Sequence, residues 1–71
     1  MICIPKIPGA DSVKITFDKN GNIDGILIYF KVLTSNTYEW IQKNISDFEV
    51  DAITTDNNYV VLVMTPKIVS D

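Results

Sequence analysis

The first regular pattern along the chain is an alternation of apolar and polar residues that begins at Ser12. Val13, Ile15 and Phe17 are apolar, and the residues between them are polar. A period of two residues is typical of a β-strand with one buried face and one exposed face. The alternation therefore predicts a first strand from Ser12 to about Asp18.

The dipeptide Asn20-Gly21 follows this strand and predicts a tight hairpin turn. A type I′ turn needs positive φ at both central positions, which Asn and Gly tolerate best. A two-residue turn here sets the register of the hairpin with the next apolar segment. The expected opposed pairs are Val13 with Ile28, Ile15 with Ile26, and Phe17 with Asp24. One face of the hairpin is then predicted to carry Val13, Ile15, Phe17, Ile26, Ile28 and Phe30.

After Ser35 the spacing of apolar residues changes to that of a helix. Asn36 is the predicted N-cap, because Glu39 follows three residues later and completes a capping box. The helix is expected to end near Ile45 or Ser46. Its apolar stripe, which is suited to lying on a sheet, consists of Tyr38, Ile41, Ile45 and Phe48. Trp40 is expected at the edge of this stripe, about 100° around the helix from Ile41.

Two more strands are predicted after the helix, at about Val50–Thr55 and Tyr59–Met64. Asp56-Asn57-Asn58 forms the predicted turn between them, since Asn tolerates the left-handed region. The last strand is apolar throughout, which is typical of burial on both faces. The order ββαββ predicts an α+β fold. It consists of two β-hairpins joined by one helix, with the helix packed on one face of a four-stranded, mainly antiparallel sheet.

A length of 71 residues predicts a single domain that spans residues 1–71. Residues 1–11 are expected to form an irregular arm, with a short edge strand at Ile2 to Ile4. Residues 12–66 form the predicted core and residues 67–71 a tail. The order of the strands in the sheet is left open, including a parallel pairing of the second and third strands.

The second predicted strand is apolar on both faces, and this raises the question of what covers the second face. One short helix covers a single face of four strands. Leu27, Tyr29 and Leu33 are expected on the other face, where we predict an oligomer interface, most simply in a homodimer. The N-terminal arm and an unrelated protein are the other two possible covers.

Charge and composition exclude several functions. The chain has nine acidic residues, six lysines, no arginine and no histidine, for a formal net charge of −3. Without arginine or a concentrated basic face, direct binding to nucleic acid or to an anionic membrane is not expected. With Cys3 as the single cysteine, neither an internal disulfide nor the usual zinc site can form. We therefore predict no metal and no cofactor.

The expected compartment is the cytoplasm. No apolar run reaches the length that spans a bilayer, and the N-terminus lacks the pattern of a signal peptide. A lone thiol stays reduced in the cytoplasm.

No catalytic or calcium site is predicted. Residues 18–25 resemble a calcium loop, but both registers of the motif lack the bidentate glutamate at its twelfth position. A hairpin turn explains the same residues. Neither Cys3 nor any serine has a histidine to act as its base, so we do not expect an enzyme.

The remaining candidates are four carboxylates and one tryptophan. Asp47, Glu49, Asp51 and Asp56 lie close together in the sequence, with no lysine among them. On an extended segment, the first three would share one side. They form either a solvated rim or a patch that meets a basic partner surface. Trp40 is either half-buried packing or an interface anchor.

These features together predict a small acidic protein-binding module that regulates or inhibits a larger protein by direct contact. Asp47, Glu49, Asp51, Asp56 and Trp40 are the predicted partner-binding residues. Size and charge suit inhibitors encoded by phages or mobile elements, such as anti-CRISPR or anti-restriction proteins that act on nucleic-acid-processing enzymes. The alternative is a structural or assembly subunit whose apolar sheet face is a permanent oligomer interface.

Overall fold

The structure is a computed structural model, and it describes residues 6–67. Four strands and one helix follow each other in the predicted order ββαββ. The elements are β1 (Ser12–Phe17), β2 (Ile23–Phe30), α1 (Ser35–Asn44), β3 (Phe48–Asp56) and β4 (Tyr59–Pro66). The α+β fold class is confirmed. The edge strand expected at Ile2 to Ile4 lies outside the described residues.

The four strands form one antiparallel sheet in the order β1-β2-β4-β3. β4 lies between β2 and β3, so the parallel pairing that the sequence left open does not occur. β2 and β4 are the central strands, and β1 and β3 are the edge strands of this sheet. The two strands with apolar residues on both faces thus occupy the positions with neighbours on both sides.

One face of the central strands carries the hydrophobic core. Ile26 of β2 is opposite Met64 of β4, and Ile28 is opposite Leu62. Ile41 of the helix joins the same buried cluster. The buried members of this cluster are Ile7, Ile26, Ile28, Phe30, Ile41, Ile45, Phe48, Leu62 and Met64. Ile7 of the arm therefore helps to fill the core on the helix side of the sheet.

The first hairpin has the predicted register over most of its length but a different turn. Val13 is opposite Ile28 and Ile15 is opposite Ile26, as predicted. The prediction for Phe17 is wrong, because Phe17 is opposite Ile23. A bulge inserts Asp24 as an extra residue in β2 at this point.

The cause lies in the loop, which has three residues instead of the predicted two. The Asp18 amide donates to the Asn22 carbonyl at 2.8 Å, and the Gly21 amide donates to the Asp18 carbonyl at 3.1 Å. Gly21 has a φ of 85°, whereas Asn20 is not among the residues with positive φ. The type I′ turn predicted at Asn20-Gly21 is therefore wrong. The longer loop and the bulge offset each other, so the register beyond them is the predicted one.

A two-residue turn joins β3 to β4 instead. Asn57 and Asn58 have φ values of 50° and 70°, and the flanking residues Asp56 and Tyr59 are opposite each other. Positive φ at both central positions is the signature of the turn that was expected in the first hairpin. The turn predicted from Asp56-Asn57-Asn58 is confirmed.

The helix begins earlier than predicted. Thr34, not Asn36, is the N-cap, and its hydroxyl oxygen accepts a hydrogen bond from the Thr37 amide at 3.2 Å. Asn36 lies inside the first helical turn. Threonine is a somewhat weaker N-cap than asparagine, but its hydroxyl satisfies an amide that has no partner within the helix. A cap at Thr34 also lets the helix gain two residues.

The two capping schemes predict different effects of mutation. Thr34→Ala should lower the free energy of unfolding by about 1 kcal/mol, because the Thr37 amide loses its acceptor. Asn36→Ala, the matched control, should leave stability within about 0.5 kcal/mol of the original. Urea denaturation followed by circular dichroism measures both. A larger loss for Asn36→Ala than for Thr34→Ala would contradict this cap.

Candidate functional site

Three of the four candidate carboxylates lie on the edge strand β3. Glu49 is opposite Thr65, Asp51 is at a bulge, and Asp56 ends the strand next to the turn. Asp47 precedes the strand in a turn, and its carbonyl accepts a hydrogen bond from the Lys67 amide at 3.0 Å. All four carboxylate residues are exposed. We call Asp47, Glu49, Asp51 and Asp56 the acidic edge.

The acidic edge is a line and not a cluster. Glu49 and Asp56 are seven residues apart in one strand, which corresponds to roughly 23 Å. The expectation that Asp47, Glu49 and Asp51 share one side assumed an unbroken strand, and this assumption is wrong. Asp47 is outside β3, and Asp51 is the extra residue of a bulge between Val50 and Ala52. The arrangement suits contact with an extended surface more than capture of one ion.

The depression next to the acidic edge is small. It has a volume of about 120 Å³. Its lining residues are Gln42, Phe48, Glu49, Val50, Met64 and Lys67. Pockets for small organic ligands usually measure about 300–1,000 Å³. One carboxylate and one ammonium group at its rim make it a notch in the acidic edge rather than a substrate site.

Trp40 lies on a different flank of the helix from the depression at Glu49. Gln42 borders the depression next to Phe48 and Glu49, so this flank of the helix is turned towards β3. Trp40 is two residues earlier, about 200° around the helix from Gln42, and therefore lies on the other flank. It is half-buried and packs against the core cluster.

The second sheet face, which is the face away from the core cluster, has a narrow apolar strip. Leu27 is opposite Val63, and Tyr29 is opposite Val61, which is only 3% exposed. The rings of Tyr29 and Tyr59 meet edge to face, with centroids 6.3 Å apart.

Leu33 does not belong to the second sheet face, and its predicted placement there is wrong. β2 ends at Phe30, so the alternation of faces does not extend to residue 33. Leu33 is partly buried and packs against the core cluster on the other side. Leu27 and Tyr29 are where the sequence predicted them, and their role in an oligomer interface stays a prediction.

An apolar surface is exposed on β1, where the alternation predicted a buried strand face. Val13, Ile15 and Phe17 do lie on the same sheet face as Ile26 and Ile28. They are nevertheless 42%, 37% and 61% exposed. β1 is an edge strand, and the buried cluster is built from β2, β4 and the helix. The alternation of residue types identifies a face, but it does not reveal how far the cover over that face extends.

The loop that resembled a calcium site is occupied by its own backbone. One carboxylate oxygen of Asp18 accepts hydrogen bonds from the amides of Asn20 and Asn22, at 2.8 and 3.0 Å. Among residues 6–67, no three His, Cys, Asp or Glu side chains are grouped so that they could hold a metal ion. In the same residues, no helix has the length and apolar character needed to cross a bilayer.

The two interpretations of Trp40 can be separated by its effect on stability. Trp40→Ala should lower the free energy of unfolding by about 1–3 kcal/mol, because a half-buried indole packs against the core. Val32→Ala is the control, since Val32 is 73% exposed and should contribute little. Chemical denaturation of both variants tests this. If Trp40→Ala is as stable as the control, the indole is free to act as an anchor.

Comparison of the chain with protein-family models, with curated proteins and with solved structures finds no match.

Proposed function

We propose that this protein is a small binding module that regulates or inhibits a larger protein by direct contact through its acidic edge. The observation that carries the proposal is that an edge strand presents exposed carboxylates along its length. An edge strand offers unpaired backbone groups, and carboxylates restrict which partners can approach it. A partner with a basic surface fits both properties.

The partner class follows from electrostatics. Carboxylates spaced along roughly 23 Å can occupy lysine and arginine side chains that otherwise bind successive phosphates. A protein that processes nucleic acid carries such a surface. Inhibitors of this kind encoded by phages or mobile elements, anti-CRISPR and anti-restriction proteins among them, are the class we propose. A net charge of −3 is mild, so the contact must depend on where the charges lie as well as on their number.

We further propose that the protein is not an enzyme, that it does not bind nucleic acid directly and that it works in the cytoplasm. The chain has no histidine and no arginine, which removes the commonest general base and the commonest phosphate ligand. Its single cysteine suits a reducing compartment. The proposal includes a homodimer, because a chain of this length has a small core and no internal disulfide.

The alternative function is that of a structural or assembly subunit. It is favoured by the apolar strip on the second sheet face, where Leu27 and Tyr29 flank the buried Val61. In a permanent assembly this strip would be covered by another subunit. Such a subunit would need no contact through the acidic edge, so the same experiment separates the two functions.

The test compares two double variants with the same change in charge. Glu49→Gln with Asp51→Asn removes two carboxylates from the acidic edge, and Asp24→Asn with Glu39→Gln removes two exposed carboxylates elsewhere. Each protein is immobilised and exposed to a bacterial lysate, and retained proteins are eluted with duplex DNA. Duplex DNA releases only those partners that bind the immobilised protein and DNA through the same surface.

We expect the acidic-edge variant to bind an eluted partner at least about tenfold more weakly than the control variant, with a flatter dependence on salt. The reason is that only the first pair of carboxylates faces the partner. Titration calorimetry with the purified partner measures both affinities. Equal affinities for the two variants at low salt would contradict the proposal and favour the assembly subunit.

A further inference from the structure

The edge strand β1 combines exposed apolar side chains with an open backbone edge. All six of its residues are exposed, and in residues 6–67 its only strand partner is β2. Val13, Ile15 and Phe17 form an apolar row on one face. An exposed apolar edge of this kind is a template for pairing with another strand.

The backbone of the row is oriented for such pairing. The Asp18 amide donates to the Asn22 carbonyl, which places the hydrogen-bonding groups of Asp18 on the side of β2. These groups alternate between the two sides of a strand, so those of Phe17, Ile15 and Val13 point away from β2. The residues with apolar side chains are therefore also the ones with backbone groups at the open edge.

The other edge strand is built differently. β3 has a bulge at Asp51 and carries the carboxylates of Glu49, Asp51 and Asp56. Bulges and repeated like charges prevent an edge from pairing with its own copy. β1 has no carboxylate and only one charged residue, Lys14. Self-association is thus opposed at β3 and not at β1.

We propose that β1 pairs antiparallel with β1 of a second copy of this chain, about a two-fold axis at Ile15. In this register Ile15 meets Ile15 of the second copy, and Val13 meets Phe17, so the apolar row covers itself. On the opposite face Lys14 meets Thr16. At the ends of the strand Ser12 meets Asp18, so no pair in this register places like charges opposite each other.

The β1 pairing specifies the surface of the homodimer that the proposed function includes, and it has a consequence for the binding of a partner. The two sheets join into one sheet of eight strands, with β1 of each copy at the centre and β3 of each copy at the outside. The two acidic edges then lie at opposite ends of the assembly. A partner with two basic sites, or two partner molecules, can be bound at the same time.

The test places charged side chains at Ile15, the residue that meets its own copy on the two-fold axis. Ile15→Lys and Ile15→Glu each place two like charges next to each other in the dimer, and each should weaken dimerisation at least about tenfold. An equimolar mixture of the two variants places Lys opposite Glu and should restore the dimer. Ile53→Lys and Ile53→Glu are the matched controls, because Ile53 is on β3 and is 54% exposed. They should dimerise as the unaltered protein does.

Sedimentation and light scattering over about a hundredfold range of protein concentration measure the mass of each sample. Circular dichroism checks that each variant is folded. If the Ile15 variants do not fold, Phe17→Lys and Phe17→Glu replace them, since Phe17 is the most exposed residue of the row. Each places a charge against Val13 of the second copy and should weaken the dimer as strongly.

Three results would overturn the proposal. The first is a monomeric unaltered protein at the highest concentration. The second is a dimer whose stability is unchanged by the charged substitutions in β1. In that case the two copies meet through another surface, such as the strip at Leu27 and Tyr29. The third is failure of the mixed Ile15 variants to associate when both are folded. A monomer would also remove the homodimer from the proposed function. Binding of a partner through the acidic edge is measured in a separate experiment, so that contact and the β1 pairing can fail separately.

Discussion

The interaction on which the rest of the structure depends is apolar packing between the central strands β2 and β4. Its residues are Ile26, Ile28, Leu62 and Met64. Ile26 and Met64 are opposite each other, as are Ile28 and Leu62, and all four are essentially inaccessible to solvent. The helix adds Ile41 to the same cluster. In a chain of 71 residues this is the main apolar core, and there is no disulfide to supplement it. Every other element is positioned by its attachment to this central pair.

Because the core is centred on two strands, each of the other two strands has a single strand partner among residues 6–67 and an edge that no other strand of this range covers. A sheet edge exposes unpaired backbone groups, and a protein must either protect them or use them. β3 is protected by a bulge and by carboxylates, whereas β1 carries an apolar row and one lysine. The two edges therefore differ in chemistry as well as in position. We propose that β3 meets a basic partner and that β1 meets a second copy of the chain.

Residue patterns predicted the structure best where the spacing within one segment decides whether that segment is a strand or a helix. The alternation from Ser12, the helical stripe around Ile41 and the apolar run from Tyr59 each correspond to an element of the structure. The turns and the cap were less well predicted, because several residues can serve the same purpose. A three-residue loop with a bulge replaced the expected turn at Asn20-Gly21, and Thr34 replaced Asn36 as the N-cap. In both cases the alternatives differ by little in free energy, so local preference alone does not choose between them.

The number of strands, the approximate position of the helix and the face on which most strand residues lie were determined by the sequence itself, since these follow from short-range spacing. The bulges at Asp24 and Asp51 are the exceptions. The order of the strands and the exposure of each face were decided only by the tertiary structure. β4 lies between β2 and β3 because its apolar residues need cover on both faces and both sides, whereas the carboxylates of β3 need solvent. That choice leaves β1 outside the core, which is why Val13, Ile15 and Phe17 lie on the core face and are still exposed. The tertiary structure also turns the Gln42 flank of the helix towards the depression at Glu49, so that Trp40 lies on the opposite flank.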